Sequence, residues 1–541
     1  MDRDDPSNRI TSPIGQRGGP GQPPRLRTHI NSLPNDVLVD ILRSAFVDRE
    51  TARYFPDCQA FNFPRKWEDF CQRPGLGSPY DDRNPKHASA EYLASVCTQW
   101  REAMSGLSIF WSLLIVWLGH EPTPLWRIRQ YLAWSRDQQL DIYVLRRFSP
   151  AIEDRAEKTH VKAIVDLLLP HIARWRMLYF ALLHADSLPI PRVDLVGRAV
   201  NLLQLYLGSL VDDAVANSEG VLARSGGFEA PMVDMLSMGG VHYYGCYMNP
   251  TPQTQMFPNV KSLHLTDYAL HHTPFPLVDL LRVLAHSSVT ALYLNNMQFD
   301  CSYSGPPILL SIDDSWEPNV TFTSMTGEVI AEYNRLLDYP HPETTTYRRC
   351  TIPDCDPFAL PPLGTSYMVH LEQIADPRAV TYYLTNVACT ELSCHEASFH
   401  DCDGLQPEVL NIALGTPVLK DGEETWLCPR VDHIAMYECR YIRSRDIRAV
   451  LEARYKAHEA TGFVDENDLE FEVLSVKHLV VDDCIALAPE DKQWFDTHME
   501  SVWWGSLESL DWRYMGSSAK RSRRSTYRVL VSPHSSRFCT E

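Results

Sequence analysis

The sequence predicts an α/β chain, a small N-terminal unit of three helices followed by an irregular α/β solenoid. Three observations carry this. Val37, Leu38, Ile41, Leu42, Ala45 and Phe46 repeat at helical spacing and form one apolar stripe. Two more short apolar elements come next, around Trp100 and Trp111. From Trp175 onward, apolar residues recur at i, i+3, i+5 and i+8, and the stretches between them read as helix.

The size of the chain supports more than one core. At 541 residues it exceeds what a single hydrophobic core holds. A hydrophobic content of 44% with 10% aromatic residues is ordinary for a folded chain. The net charge of −19 argues against a general nucleic-acid binder. The start, Met1-Asp2-Arg3-Asp4-Asp5-Pro6, lacks the apolar core of a signal peptide, and the longest apolar run, near Ile109–Leu118, falls short of a membrane span. Fourteen scattered cysteines then read as free buried thiols, and the chain as cytoplasmic, nuclear or both.

Residues 1–29 are polar, rich in Gly, Pro and Arg, and predicted disordered. Leu33-Pro34 opens the first helix, because a proline in the first turn loses no hydrogen bond and Asp36 suits the positive helix end. The stretch at about 47–90 is broken by Pro56, Pro64, Pro74, Pro79 and Pro85. It also holds Tyr54, Phe55, Phe61, Phe63, Trp67 and Phe70, which predicts an insertion that packs on something. Helical spacing returns with Leu93, Val96, Cys97 and Trp100. Ile109–Val116 starts as a short helix and continues as a strand.

Taken in order, these elements resemble an F-box. The residues that carry the resemblance are Leu33-Pro34-x-x-Val37-Leu38-x-x-Ile41-Leu42, then Ala94-Ser95-Val96-Cys97-x-x-Trp100-Arg101, then Phe110-Trp111-x-Leu113. The insertion at about 47–90 departs from the usual short connection, and such a split resembles F-box proteins of mushroom-forming fungi. The resemblance implies a unit over 30–120 that binds a Skp-family adaptor and, through it, a cullin. By the family pattern, Leu33, Pro34, Leu38, Ile41, Leu42, Val96, Trp100 and Trp111 are the partner-binding residues. It further implies a substrate-recognition subunit of a cullin–RING (SCF-type) ubiquitin ligase that takes a protein substrate. The alternative is an F-box scaffold acting outside a ligase.

Beyond residue 120 the resemblance is looser. Leu125–Ser135 reads as a helix, Leu140–Val144 as a strand and His160–Ile172 as a helix leading to Arg174-Trp175. Those F-box proteins enter a leucine-rich-repeat-like region in a similar way. The leucine-rich repeat is read from L-x-x-L-x-L-x-x-(N/C). Degenerate matches start at Trp175, Leu202, Val233, Val260 and Val289, with intervals of 27, 31, 27 and 29 residues. Further matches start at Cys389, Val431, Val476 and Leu507, after gaps of 100, 42, 45 and 31. A chain 44% apolar matches four positions by chance at roughly 4% of starts, so the regular spacing carries the argument. Positions i+3 and i+5 share one face of a short strand, and neighbouring units must stack to bury it. Helices read at Pro276–His286, Asp446–His458 and Pro489–Trp503 make this a leucine-rich-repeat-like solenoid over 121–515, with right-handed crossovers and a curved parallel sheet. A compact α/β sheet would also alternate strands with helices. Residues 298–378, rich in Pro, Tyr and Asp, fit no repeat.

No cofactor, metal or catalytic residue is expected. Cys389, Cys394, His395, His400 and Cys402 depart from zinc-ligand spacing, and Cys389 and Cys394 fall on inward strand positions. Cys350 and Cys355 have no partner pair nearby. Cys439 and Cys484 occupy the repeat's N/C position, where a small polar side chain bonds backbone as the strand turns away. P-loop, G-x-G-x-x-G, H-E-x-x-H and G-x-S-x-G motifs are absent, so the chain reads as a non-enzyme, and its acidic charge and short apolar runs predict contact with neither nucleic acid nor membrane. Residues 516–541 are expected to form a disordered basic tail. In it, Lys520-Arg521-Ser522-Arg523-Arg524 reads as a solvated end, an import signal or a contact for an acidic surface.

Overall fold

In a computed structural model of the chain, the described residues are 33–50, 90–119, 121–147, 156–214, 227–248, 258–269, 272–285, 287–308, 318–338, 341–357, 360–361, 363–364, 366–385, 394–420, 423–460 and 473–505. The expectations for 1–29, the bulk of the 47–90 insertion, Cys389, the unit at Leu507 and the tail with Lys520–Arg524 lie outside them. The chain divides into two compact units. One holds the described residues up to Ser112 together with Tyr131–Gln138, and the other holds Leu113–Gln130 and the described residues from Gln139 onward.

The first unit is helical. Helix α1 spans Asn35–Glu50 and opens as expected, with the carbonyl of Pro34 accepting from the Leu38 N–H at 3.0 Å. The segment expected as one second helix is two, α2 at Ala90–Ala94 and α3 at Thr98–Ser105. The break has a local cause. Cys97 is fully extended (φ −160°, ψ 170°), and Arg101 Nε reaches back 3.3 Å to the Ala94 carbonyl, covering the end of α2. A 3₁₀ turn, Ser108–Trp111, takes the place expected for a third helix. The unit is therefore not three continuous helices.

The second unit is built on one sheet. Its strands among the described residues are β1 (Leu113–Gly119), β2 (Leu140–Arg147), β3 (Trp175–His184), β4 (Gln204–Val211), β5 (Met235–Gly239), β6 (Ser262–Tyr268) and β7 (Ala291–Met297). They continue with β8 (Asn319–Thr323), β9 (Thr344–Arg348), β10 (Met368–Glu372), β11 (Glu396–His400), β12 (His433–Tyr437), β13 (His478–Asp482) and β14 (Ser501–Trp504). All fourteen lie in parallel, and their order across the sheet is their order along the chain, with β1 and β14 at the edges, so the sheet is open. Parallel neighbours require crossovers. Helices supply several of them, among them α4 (Leu125–Trp134), α5 (Glu157–Leu168), α6 (Leu277–Leu284), α7 (Gly327–Leu336), α8 (Pro377–Thr385), α9 (Ser444–Ala460) and α10 (Pro489–His498).

The i+3 and i+5 positions form the core. Leu178/Phe180, Leu205/Leu207, Leu236/Met238, Leu263/Leu265, Leu292/Leu294, Ile434/Met436 and Leu479/Val481 are each at most 2% exposed. The crossover helices bury their apolar sides, Leu277, Leu280, Leu281 and Leu284 in α6 and Ile447, Val450 and Leu451 in α9.

Three expectations are corrected. Residues 298–378 do carry strands of the same sheet, β8, β9 and β10. Their inward pairs are Val320/Phe322, Thr345/Tyr347 and Val369/Leu371. The pattern hid them because Glu317, Pro342 and Ser366 stand at the first position and Thr345 at the second. Thr345 and Ser366 tolerate burial because their hydroxyls bond each other at 2.5 Å. The match starting at Cys389 is displaced, since β11 buries Ala397 and Phe399, with Cys394 and Cys402 as its flanking positions. The helix expected to run to Trp503 stops at His498, and Ser501–Trp504 pairs with β13. That stretch, Val502-Trp503-Trp504, has strand propensity, and the Glu500 and Ser501 N–H groups already bond the Lys477 carbonyl.

The end of each strand repeats one backbone device. Asp267, Asn296, Ser324, Arg349, Gln373, Asp401, Glu438 and Asp483 all have positive φ, between 50° and 57°, at or just after the ends of β6 to β13. The N–H of Ser324, Arg349, Gln373, Asp401 and Glu438 extends the ladder to the next strand's last carbonyl at 2.8–2.9 Å. The left-handed residue then turns the chain inward, so the next side chain enters the core. At four of these positions it is cysteine. Cys350, Cys402, Cys439 and Cys484 place Sγ 3.3, 3.2, 3.8 and 3.8 Å from the carbonyls of Phe322, Leu371, Phe399 and Met436 on the preceding repeat strand.

Candidate partner interface

The eight residues singled out in the N-terminal unit do not share one environment. Leu38, Leu42 and Trp111 are 0%, 1% and 1% exposed and belong to its core with Met104 and Phe110. Trp111 is held on three sides. Its Nε1 donates to the Met104 carbonyl at 2.9 Å, and its ring meets Tyr131 edge-on at 4.9 Å and Trp134 at 4.5 Å. These residues hold the helices in place, and a partner does not reach them without unfolding the unit. Leu33 and Trp100 are half-buried, and the Trp100 Nε1 is shielded with no hydrogen-bond partner among the described residues.

Pro34, Ile41 and Val96 remain exposed, the last two at 41% and 55%. Two more apolar residues stand out with them, Val37 at 41% and Ile109 at 42%. Val37 and Ile41 are four apart on α1 and so share one side of it. The apolar stripe of α1 therefore has two parts, Leu38 and Leu42 turned inward and Val37 and Ile41 turned out. Periodicity alone groups all four, because a stripe wider than one contact face reads as one face.

Among the described residues no group of three or more His, Cys, Asp or Glu side chains converges on a point. Cys394 donates to the Glu396 carbonyl at 3.1 Å, His395 stacks on Tyr367 at 4.8 Å, and His400 lies 3.9 Å from Glu438. Burial pushes the Cys350 thiol up to about 12 and the Cys402 thiol up to about 11. A hydrogen bond with Cys484, then burial, holds the Cys439 thiol far above its usual range. Such thiols are poor nucleophiles and poor ligands, and they pack as small apolar groups.

The outward face of the sheet is polar toward its C-terminal end. Register brings His370, Ser398 and Ala435 into one row and Glu396, His433, His478 and Ser501 into another. His433 Nδ1 lies 3.4 Å from Glu396, and the His433 and His478 rings are 5.9 Å apart. Burial lowers the His370 pKa, Glu396 and Glu372 pull it up, and His433 lowers it again. On the N-terminal strands the same face is aromatic, with Tyr179 stacked on Tyr206 at 4.1 Å and His264 on Tyr293 at 3.9 Å. No helix among the described residues is long and apolar enough to cross a membrane. Compared with models of known protein families and with curated proteins, the chain matches none.

Proposed function

We propose that the chain is an F-box-type substrate-recognition adaptor of a cullin–RING (SCF-type) ubiquitin ligase. The N-terminal unit binds a Skp-family adaptor, and a leucine-rich-repeat-like solenoid over β1–β14 holds a protein substrate. Catalysis is by proximity, with transfer chemistry supplied by other subunits in the cytoplasm or nucleus. The observation that carries this reading is the division of α1. Its inner residues, Leu38 and Leu42, close a small core, while Val37 and Ile41 present apolar surface that the unit leaves open. A few such side chains in the centre of an interface are enough to anchor a partner. In this reading Pro34, Ile41 and Val96 touch the adaptor, and Leu38, Leu42 and Trp111 shape the surface from beneath.

The test is co-purification of the full chain with a Skp-family adaptor, comparing wild type with Val37→Asp plus Ile41→Asp. These positions are chosen because a charge at Leu38 would break the core. Binding by wild type and loss in the double variant, with unchanged helicity, is the expected result. Equal binding by both moves the contact elsewhere, and no binding by wild type ends the reading. Adaptor retained without cullin favours the alternative of a scaffold outside a ligase.

A further inference from the structure

We propose that Cys439 and Cys484 form an oxidisable dithiol, which a peroxide converts into an intrachain disulfide that staples β12 to β13. Both are free thiols at the same step of neighbouring strands. Each follows a left-handed residue, Glu438 (φ 57°) and Asp483 (φ 52°). Each Sγ lies near the carbonyl two residues back, that of Tyr437 at 3.5 Å and that of Asp482 at 3.3 Å. The two turns therefore stack, and the Glu438 N–H keeps them in register by donating to the Asp482 carbonyl at 2.9 Å. Neighbouring parallel strands run about 4.8 Å apart, inside the Cα separation of roughly 4.4–6.8 Å that a disulfide spans. The side chains already meet. Cys484 Sγ accepts the backbone N–H of Cys439 at 3.2 Å, and the Cys439 thiol donates to it as well.

The pair is asymmetric, as the chemistry requires. Cys439 is 1% exposed, whereas Cys484 is half-buried and open to a small oxidant. The hydrogen bond from Cys439 holds the Cys484 thiol below its ordinary range against the penalty of burial, helped by the Cys439 N–H and opposed by Asp482 and Asp483. The thiolate is the form that attacks. Cys484 Sγ takes one oxygen of hydrogen peroxide, the O–O bond breaks, and the leaving hydroxide takes up the proton that Cys484 had shed. Cys439 Sγ then attacks the resulting sulfenic acid at sulfur, the S–O bond breaks, and the Cys439 proton leaves with that hydroxide as water. Two thiols are oxidised and one peroxide becomes two waters. Cys402, next in the stack, is as buried as Cys439, and burial pushes its thiol up to about 11, so it does not start the reaction. The new bond closes a 45-residue loop that contains α9, and so ties β12, α9 and β13 into one unit.

The test treats the full chain with a small excess of hydrogen peroxide, blocks the remaining thiols in denaturant and maps the tryptic peptides by mass spectrometry. The expected product joins residues 431–440 to residues 478–492, which hold one cysteine each, at about 2 Da below the summed peptide masses, and a thiol reductant reverses it. Linkage forms at least about tenfold faster than oxidation at Cys394 or Cys402. The oxidised chain unfolds at a higher urea midpoint than the reduced one. In Cys439→Ser the reaction stops at a sulfenic acid on Cys484, which dimedone traps. In Cys484→Ser, Cys439 stays reduced at the same dose. Melting curves check the fold of both variants, and the wild-type measurement needs neither. Absence of the linked peptides overturns the proposal, as does linkage only between two copies. So does a disulfide from Cys439 to Cys402 in place of Cys484, or oxidation of Cys484 no faster than that of Cys402.

Discussion

The guanidinium of Arg454 donates to the backbone carbonyl of Val431 at 3.2 Å, and the side chain is fully buried. Four more carbonyls share the same head group, those of Leu474, Leu414, Cys428 and Pro429, at 3.0–3.3 Å, and the Trp426 ring lies 5.8 Å away. One side chain on α9 thereby satisfies the loops that lead into β12 and β13. Burial lowers its pKa to about 10, still well above neutrality, so the charge stays. Arg454→Met leaves those acceptors without partners and costs at least about 3 kcal/mol. Arg454→Lys keeps the charge but not the fork and loses an intermediate amount. Denaturant unfolding followed by far-UV circular dichroism measures both.

The two faces of α1 separate in stability as well as in binding. Leu38→Ala removes a fully buried side chain and costs about 2–5 kcal/mol. Ile41→Ala, at a position 41% exposed, stays within about 0.5 kcal/mol. Paired melting curves of the two variants decide it. Comparable losses would mean Ile41 is core and unavailable to a partner.

Thr345 and Ser366 form a buried hydroxyl pair, with Thr345 at a position where the neighbouring strands carry Val320 and Val369. Thr345→Val alone strands the Ser366 hydroxyl and costs about 1–2 kcal/mol. Adding Ser366→Ala recovers most of that loss. A double-mutant cycle in urea reads the coupling directly.

Thiol labelling distinguishes the stacked cysteines from the rest. Cys394, Cys402 and Cys439 are about 1% exposed and their thiols are held in the protonated form, whereas Cys97 and Cys355 are half-buried. A maleimide at neutral pH modifies Cys97 and Cys355 at least about a hundredfold faster, and the difference vanishes in denaturant. Mass spectrometry of the labelled peptides gives the order.

His242 is 7% exposed, and burial lowers its pKa to about 4, against a weaker upward pull from Asp186. The unfolded chain therefore binds more protons than the folded one between about 4 and the ordinary 6.5. The stability that depends on a neutral His242 is complete above 6.5. It falls as pH drops through this window, by up to about 3 kcal/mol. His242→Gln loses that share of the slope, which unfolding curves at pH 7 and about pH 4.5 compare.

Much of the sheet was legible because its signal is local. A strand that buries i+3 and i+5 must spend two apolar residues on them, and Leu263/Leu265 or Leu292/Leu294 announce this without any knowledge of neighbours. The reading failed where burial is satisfied by pairing instead of by composition. Thr345 looks polar in the sequence and is buried because its hydroxyl bonds that of Ser366. Cys439 and Cys484 were readable as backbone-bonding residues because the turn that places them recurs at a fixed offset.

The sequence by itself determined the period, the inward pairs and the amphipathic first helix, all consequences of apolar spacing along one element. Only the tertiary structure decided which part of the α1 stripe is spent. Leu38 and Leu42 are used up inside the unit, and Val37 and Ile41 are left over. Periodicity gives the direction of a face, but whether that face is already covered depends on residues far away in the chain, such as Met104 and Trp111, and is settled only when they pack.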